Sequence, residues 1–477
     1  MKRDAVLSVI WSVILLIGFV AGTVPVSGVS QQATSTTAQT DQCTPAYDQL
    51  NGRHRDGSGP PVSVSATAPE PGVVLLEYIV QDGEDSFTVS LPKYLDVRNV
   101  DGFEESHTRH FEYTGNGTAL IEYVVNQTVF IPDNDDLRNL PETYTSHNES
   151  VSTSIIPGHD GARFQLAFPD GGYRGTSIMY VGEVTRVETI RNGPNRLHLI
   201  IPSAVDSSVG NASLEGLQHG AETITPRRYY CESTLFLHPG DVRGYSFRAD
   251  AVSGEGWGSG STQVHTPLHE YIHLNQRYIL SDEMRWFTEG SATYLTARIL
   301  YDNGMLSPAE YDSQLTYWNR YSSGSNLTNS SSYLPESGAI PDRDDYTSGA
   351  LILARLDADL REHGDATIYD LFSAVGGGSP GSEYDVSAFH DDYERLGGNR
   401  SEAELRTLLE ESNSTVEPAY MTKSGRILPD QITRHPSYND TPRRMEMKLL
   451  PLFGLLFVIV LATAREIIAS INGRKDD

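Results

Sequence analysis

The spacing of hydrophobic and polar residues changes once along the chain, near residue 235. Before that point the apolar residues form short runs, such as those at 73–80, 119–125 and 197–202, and clusters of Gly, Pro, Asn and Asp separate them. Strands of about four to eight residues, bounded by turn residues, produce this pattern. We therefore expect residues 61–235 to form a β-rich domain, a β-sandwich or a related sheet structure.

After residue 235 the apolar residues recur at the three- and four-residue spacing that is typical of amphipathic helices. A first helix is predicted to begin at Thr266 and Pro267, which suit an N-cap and a first helical position. Its core-facing residues are expected to be Leu268, Ile272 and Ile279.

Further helices are predicted at about 284–300, from Tyr346 onward, at 366–374 and at 401–411. The polar residues 303–345 are expected to form a long exposed loop. The chain is therefore expected to have an α+β fold, in which a mostly α-helical domain over 236–420 follows the β-rich domain.

Two uncharged apolar segments lie near the chain ends. Residues 5–22 follow Lys2 and Arg3, as in a signal peptide or signal anchor, which we place at 1–30. Residues 449–464 and the apolar residues after them predict a transmembrane helix over 447–471, and a buried C-terminal helix is the alternative. The remaining segments are predicted to be a flexible linker at 31–60 and a proline-containing stalk at 421–446.

The glycosylation sequons and the cysteines indicate the cellular location of the middle of the chain. All nine Asn-x-Ser/Thr sequons lie between the two apolar segments, at Asn116, Asn126, Asn148, Asn211, Asn326, Asn329, Asn399, Asn413 and Asn439. They predict a glycoprotein whose middle part is extracellular. The only two cysteines, Cys43 and Cys231, predict a disulfide in an exported chain.

The charge balance is strongly acidic. The chain has 63 Asp and Glu against 36 Lys and Arg, for a formal net charge of −27. This balance argues against a nucleic-acid partner, because phosphate binding needs clustered basic side chains. Only 5 of the 36 basic residues are lysines, a combination typical of proteins from salt-loving archaea. The alternative is an ordinary acidic extracellular protein.

The sequence His-Glu-Tyr-Ile-His at 269–273 carries the chemistry. His269 and His273 are four positions apart and share one helix face, so both can bind one Zn2+ ion. Glu289 can supply a third ligand from the start of the next helix, which leaves a position open for water. Glu270 lies about 100° around the helix and is predicted to be the general base. The alternative is a pair of partly buried surface histidines beside solvated acids.

These residues, together with Trp-Phe-Thr-Glu-Gly-Ser-Ala at 286–292 and Tyr-Thr-Ser-Gly-Ala-Leu at 346–351, resemble the gluzincin metallopeptidases. This is the clan of thermolysin and aminopeptidase N, and the nearest resemblance is to the glycyl-aminopeptidase-like family. The resemblance covers about 240–410 and implies a thermolysin-like catalytic domain. It also implies that Tyr346 donates a hydrogen bond to the oxyanion of the transition state.

The chain departs from the family pattern in three places. The gap between His273 and Glu289 is shorter than is usual in the family. The nearest counterpart to the strand that captures a substrate's free amine is Gly-Glu-Gly-Trp-Gly at 254–258, in a glycine-rich loop. No acid can be assigned as a hydrogen-bond partner of either histidine.

Taken together, these features predict a membrane-anchored extracellular zinc metallopeptidase that acts on peptides or surface proteins. The β-rich part would form one wall of the cleft and present strand edges to an extended substrate. The alternative is a non-enzymatic adhesive or structural surface protein that retains the fold.

Overall fold

The computed structural model describes residues 62–410 with internal exceptions. The excepted residues are 81–85, 93–94, 116, 126–145, 149–150, 162–163, 226–230, 241–243, 255–264, 277, 323–325, 330–342 and 376–382. All described residues belong to one compact unit, Cys43–Asp477.

Several predicted features lie outside the described residues. They are the signal segment 1–30, the linker 31–60, the stalk 421–446, the transmembrane helix 447–471 and Cys43 of the predicted disulfide. No helix in the described part of the chain is both long and apolar enough to cross a bilayer. The domain boundaries, including the one at residue 235, also stay predictions.

The first half of the described chain is built from short strands. They are β1 Val62–Thr67, β2 Val73–Ile79, β3 Thr88–Ser90, β4 Asp96–Asp101, β5 Phe103–His107, β6 His110–Tyr113, β7 Thr118–Val124, β8 Ser146–Asn148, β9 Val151–Ile155, β10 Gly158–Asp160, β11 Phe164–Ala167, β12 Gly172–Arg174 and β13 Ile178–Val181. They form one five-stranded sheet, β11-β1-β2-β7-β4, and two four-stranded sheets, β10-β3-β6-β5 and β12-β13-β9-β8.

Alternation of buried and half-buried positions explains why these segments form strands. In β1, Val62, Val64 and Ala66 are buried, whereas the serines and the threonine between them are only partly covered. Successive side chains of a strand point to opposite faces, so one face of β1 faces the core. That core is rich in aromatic rings, among them Tyr78 and Phe87, whose ring centroids are 6.0 Å apart.

A mixed sheet connects the β-rich part to the helices. Its strands are β14 Val184–Asn192, β15 Asn195–Pro202, β16 Glu232–His238, β17 Tyr245–Phe247 and β18 Asp250–Gly254, in the order β14-β15-β16-β18-β17. The strands β15, β16 and β18 are parallel, and the two outer strands are antiparallel to their neighbours.

Both faces of this mixed sheet are covered. Leu199 and Leu235 belong to the core shared with the helices, whereas Ile200 and Phe236 pack against Tyr180 on the other side. Strands that are buried on both faces have continuous apolar sequences instead of alternating ones. This accounts for the unbroken apolar runs in β15 and β16.

The helices follow, apart from one that connects β15 to β16. They are α1 Ser207–Thr223, α2 Thr266–His273, α3 Trp286–Asp302, α4 Pro308–Tyr321, α5 Arg343–His363, α6 Ile368–Val375, α7 Val386–Arg395 and α8 Glu402–Glu410. Two short strands, β19 Ile279–Leu280 and β20 Glu383–Tyr384, pair in parallel. The predicted combination of a β-rich part and a helical part is therefore confirmed.

Some local predictions are wrong. The predicted loop at 303–345 contains α4, which begins with a capping box between Ser307 and Glu310. The helices α1 and α7 were not predicted. Ile279 does not face the core: it lies in β19 and is 57% exposed, because α2 ends at His273 and the helical periodicity stops there.

A buried carboxylate joins the mixed sheet to the β12–β13 turn. Asp250 begins β18 and is fully buried. Its Oδ2 accepts hydrogen bonds from the backbone N–H groups of Ser177, at 2.5 Å, and Ile178, at 2.8 Å. Burial raises the pKa of Asp250 to about 6, although these hydrogen bonds act in the opposite direction.

The raised pKa of Asp250 predicts a pH-dependent stability. The Asp250 carboxyl group binds its proton more tightly in the folded chain than in the unfolded chain. Protonation of Asp250 therefore contributes its full share to the unfolding free energy below about pH 4, and this contribution is lost as the pH rises through about 6. Asp250→Asn keeps an acceptor oxygen but cannot ionise. As the pH rises from about 4 to 7, the unfolding free energy of wild type should therefore fall by roughly 3 kcal/mol relative to that of the variant. Denaturant unfolding at constant ionic strength measures this, and parallel pH profiles would contradict it.

Candidate metal centre

Three predicted ligands converge from two helices. His269 and His273 lie on α2, and Glu289 lies in the first turn of α3. The Nε2 atoms of the two histidines are 3.0 Å apart, and Oε2 of Glu289 is 3.2 Å from each. Ligand atoms that bind a tetrahedral zinc at about 2.0–2.1 Å lie roughly 3.4 Å from one another. The triangle that these three atoms form, the ligand triangle, therefore has the size that one such ion requires.

The ligand triangle is buried and carries charge. About a tenth of each of the three side chains is exposed, between 10% and 11%. Burial alone would lower the pKa of His273, but the Glu289 carboxylate raises it to about 9. Burial alone would raise the pKa of Glu289, but His273 and hydrogen bonds from both histidines hold it below its usual range. A bound cation would replace the proton that His273 otherwise holds against this anion.

Glu270 lies close to the backbone of Gly244. Glu270 is 4% exposed and lies on α2 between the two histidines. A Cβ atom built on Gly244, which immediately precedes β17, would lie 2.5 Å from Oε1 of Glu270 and 2.5 Å from Cγ2 of Thr266. The backbone entering β17 therefore passes close to the Glu270 carboxylate, and a larger residue at position 244 would require the Glu270 and Thr266 side chains to shift.

Tyr346 lies next to the ligand triangle. It is in the first turn of α5, and its ring is nearly parallel to that of His269, with centroids 6.0 Å apart and an interplanar angle of 14°. The structure therefore brings all five predicted site residues together. Their assigned roles stay predictions.

A glycine contact holds α3 and α5 together beside this site. A Cβ atom built on Gly290 would lie 2.9 Å from Cα of Gly349, and one built on Gly349 would lie 3.0 Å from Cα of Gly290. Gly290 follows Glu289 directly, and Gly349 lies about one turn after Tyr346. The two backbones are therefore in contact close to Glu289 and Tyr346.

The start of α2 differs from the sequence prediction. The N-cap is His265, one residue before Thr266, and its Nδ1 accepts a hydrogen bond from the N–H of Leu268 at 3.1 Å. Its Nε2 lies 3.0 Å from the carbonyl oxygen of Ala212 in α1 and donates to it. Burial lowers the pKa of His265, which favours the neutral ring that this arrangement requires. His265 thus fixes α2 to α1 and does not belong to the ligand triangle.

Gln276 provides the partner for His273 that the sequence did not indicate. Its Oε1 lies 2.8 Å from Nδ1 of His273. Its Nε2 donates to the carbonyl oxygen of Thr288 at 2.7 Å and to Oγ of Ser291 at 3.0 Å. The expected partner was an acid, so this role was not predicted for an amide three residues after the histidine. The interior glycines of α3 and α5 were the available signal for the helix contact.

Comparison with known proteins gives a structural likeness only. No protein-family model matches the chain, and no curated protein does. An M1 zinc metallopeptidase from Deinococcus radiodurans is 15% identical, with a TM-score of 0.44 over 73% of this chain and 92% of its own. A variant of it bound to the substrate Tyr-Ser-Ala gives 14% identity and a TM-score of 0.45 over 74% and 93%. An aminopeptidase N family protein from Idiomarina loihiensis gives 13% and 0.43 over 72% and 77%. Likeness of this degree concerns the general fold alone.

Proposed function

We propose that this protein is a zinc-dependent metallopeptidase, a hydrolase of peptide bonds. The observation that carries the proposal is the buried ligand triangle of His269, His273 and Glu289, with the Glu270 carboxylate beside it on α2. Two imidazoles and one carboxylate form the ligand set of catalytic zinc sites that keep one position open. Zinc bound there supplies Lewis acidity, which acidifies water and polarises a carbonyl group.

The side chains around the ion have separate roles in this proposal. Glu270 accepts the proton of the attacking water and passes it to the leaving nitrogen of the scissile bond. Tyr346, beside His269, donates a hydrogen bond to the oxyanion. We place an extended substrate across the site near Gly244, which precedes β17 and lies beside Glu270.

Metal removal tests the proposal directly. Chelation of the purified protein should abolish cleavage of a peptide library, and stoichiometric zinc should restore it. Zinc should also raise the midpoint of thermal unfolding, because a ligand that binds only the folded state stabilises it by about 4 kcal/mol at a thousand times its Kd. The variants His269→Ala and Glu289→Ala should lose both effects. A wild-type protein that binds zinc but cleaves no peptide in low or molar salt would support the adhesive or structural alternative.

We also propose that the catalytic part is extracellular and that the chain is held to a membrane by residues 447–471. The support is in the sequence: apolar segments near both ends, with all nine sequons between them. The abundance of acidic residues and the scarcity of lysine favour a protein adapted to high salt. Protease treatment of intact cells should remove the catalytic part, and deletion of 447–471 should release it into the medium.

Within the zinc peptidases, we propose a gluzincin of the glycyl-aminopeptidase-like kind. The support is the pattern formed by the two histidines, Glu289 and Tyr346. The candidate for amine capture, Glu255, lies outside the described residues. The enzyme could remove residues from the N-terminus, as an aminopeptidase, or cut at internal bonds, as an endopeptidase. Mass spectrometry of products from N-terminally free and blocked peptides decides between them: cleavage of blocked peptides at internal bonds indicates an endopeptidase.

A further inference from the structure

The hydrogen bonds of Gln276 determine how its side-chain amide is oriented. The carbonyl oxygen of Thr288 can only accept a hydrogen bond, so the atom 2.7 Å from it must be the NH2 group of Gln276. The amide oxygen therefore faces His273, 2.8 Å from its Nδ1. Since an amide oxygen can only accept, Nδ1 of His273 must carry the proton. The lone pair of the neutral ring is then on Nε2, the atom that belongs to the ligand triangle.

The same amide also connects the two ligand-bearing helices. Thr288 and Ser291, which accept from its NH2 group, lie on either side of Glu289 in the first turns of α3. The Ser291 hydroxyl in turn donates to the carbonyl oxygen of Thr288 at 3.4 Å. Gln276 lies beyond the end of α2, in the segment that leads away from His273. One side chain therefore relates the position of a histidine ligand to the position of the carboxylate ligand.

We propose that Gln276 is a positioning residue of the metal centre. It keeps a proton on Nδ1 of His273, so that Nε2 is the nitrogen left to bind the ion, and it fixes α2 against the first turns of α3, so that the ligand triangle forms before the ion binds. Hydrogen-bond partners of ligating histidines are commonly carboxylates, backbone carbonyls or water. A carboxylate here would face the Thr288 carbonyl oxygen, and the two would repel each other. An amide is the group that can accept from His273 and donate to α3 at once. This inference rests on the proposed metal site.

Two substitutions separate the accepting and donating functions of Gln276. Gln276→Met has a similar length but offers neither function, and its zinc Kd should rise by about 10–100-fold, the usual effect of losing such a partner. Gln276→Glu keeps an acceptor for His273 and loses the donor, so it should bind zinc more tightly than Gln276→Met while its zinc-free form unfolds at a lower temperature than wild type. Competition with a chromophoric chelator measures the Kd. The visible absorption of the Co2+-substituted proteins reports ligand geometry and should change in Gln276→Met.

A control on the exposed face of the same region shows whether the effect is specific. Glu283 is a partly exposed acid in the turn before α3, and it pairs with Arg406 and not with a ligand. The zinc Kd of the Glu283→Gln variant should therefore equal that of wild type. Wild-type affinity and an unchanged Co2+ spectrum in Gln276→Met would overturn the inference and leave the proposed function intact. Equal Kd values for the Met and Glu variants would overturn the tautomer argument. Failure of the wild-type protein to bind zinc would overturn the proposed function itself.

Discussion

Glu270→Gln is expected to lower kcat/KM for peptide hydrolysis by about 10²–10⁴-fold while the protein keeps its zinc. Glutamine has the same shape as glutamate and fits the same narrow space beside Gly244. It cannot accept a proton, however, so the attacking water loses its general base. The three side chains of the ligand triangle are unchanged, and the metal content should therefore stay that of wild type.

Steady-state kinetics and elemental analysis of the same preparation test this prediction. Glu283→Gln is the matched control, because it removes one negative charge outside the site and should leave kcat/KM unchanged. Glu289→Gln is the opposite case, in which zinc affinity should fall together with activity. A Glu270→Gln protein that cleaves peptides at the wild-type rate would show that the residue is not the base.

Gly349→Val is expected to destabilise the protein by about 3 kcal/mol and to lower kcat by about 100-fold. A Cβ at this position would lie 3.0 Å from Cα of Gly290, and backbone atoms cannot rotate away as side-chain ends can. The helices α3 and α5 would have to separate. Tyr346 would then move relative to Glu289 and His269, and a displacement of about 1 Å is enough for a loss of this size.

The matched control is Gly210→Val in α1. The nearest atoms to a Cβ there are two methyl carbons of Ile201, at 3.1 Å and 3.3 Å, which can move by rotation of the side chain. This variant should lose less stability and should keep the wild-type kcat. Denaturant unfolding and kinetics under saturating zinc measure both quantities. Equal stability losses in the two variants, with kcat unchanged in Gly349→Val, would show that the α3–α5 contact does not position Tyr346.

Sequence predictions were most accurate where the determining interactions are local. The i, i+4 spacing of His269 and His273 puts both on one helix face whatever the rest of the chain does. The second helix was predicted at about 284–300 and lies at Trp286–Asp302, with Glu289 in its first turn. The β-rich first part followed from strand-length runs between turn residues.

The errors have identifiable causes. The predicted loop at 303–345 looked polar because α4 buries only a few of its side chains, Tyr311, Gln314, Leu315 and Trp318. Its start was nevertheless encoded locally, since Ser307 and Glu310 form a capping box. Ile279 was assigned to the core by extending the helical period of α2 beyond the residue at which the helix ends.

By itself, the sequence determined which side chains are candidate ligands, their helical spacing and the acid beside them, because these depend on residues close together in the chain. Only the tertiary structure decided that Gly244 lies beside Glu270 and that Gly290 contacts Gly349. It also decided that Gln276 connects His273 to the first turns of α3. Each of these contacts joins separate elements, and its partners depend on how close two backbones come. Local periodicity carries no information about that distance, whereas the packed core fixes it.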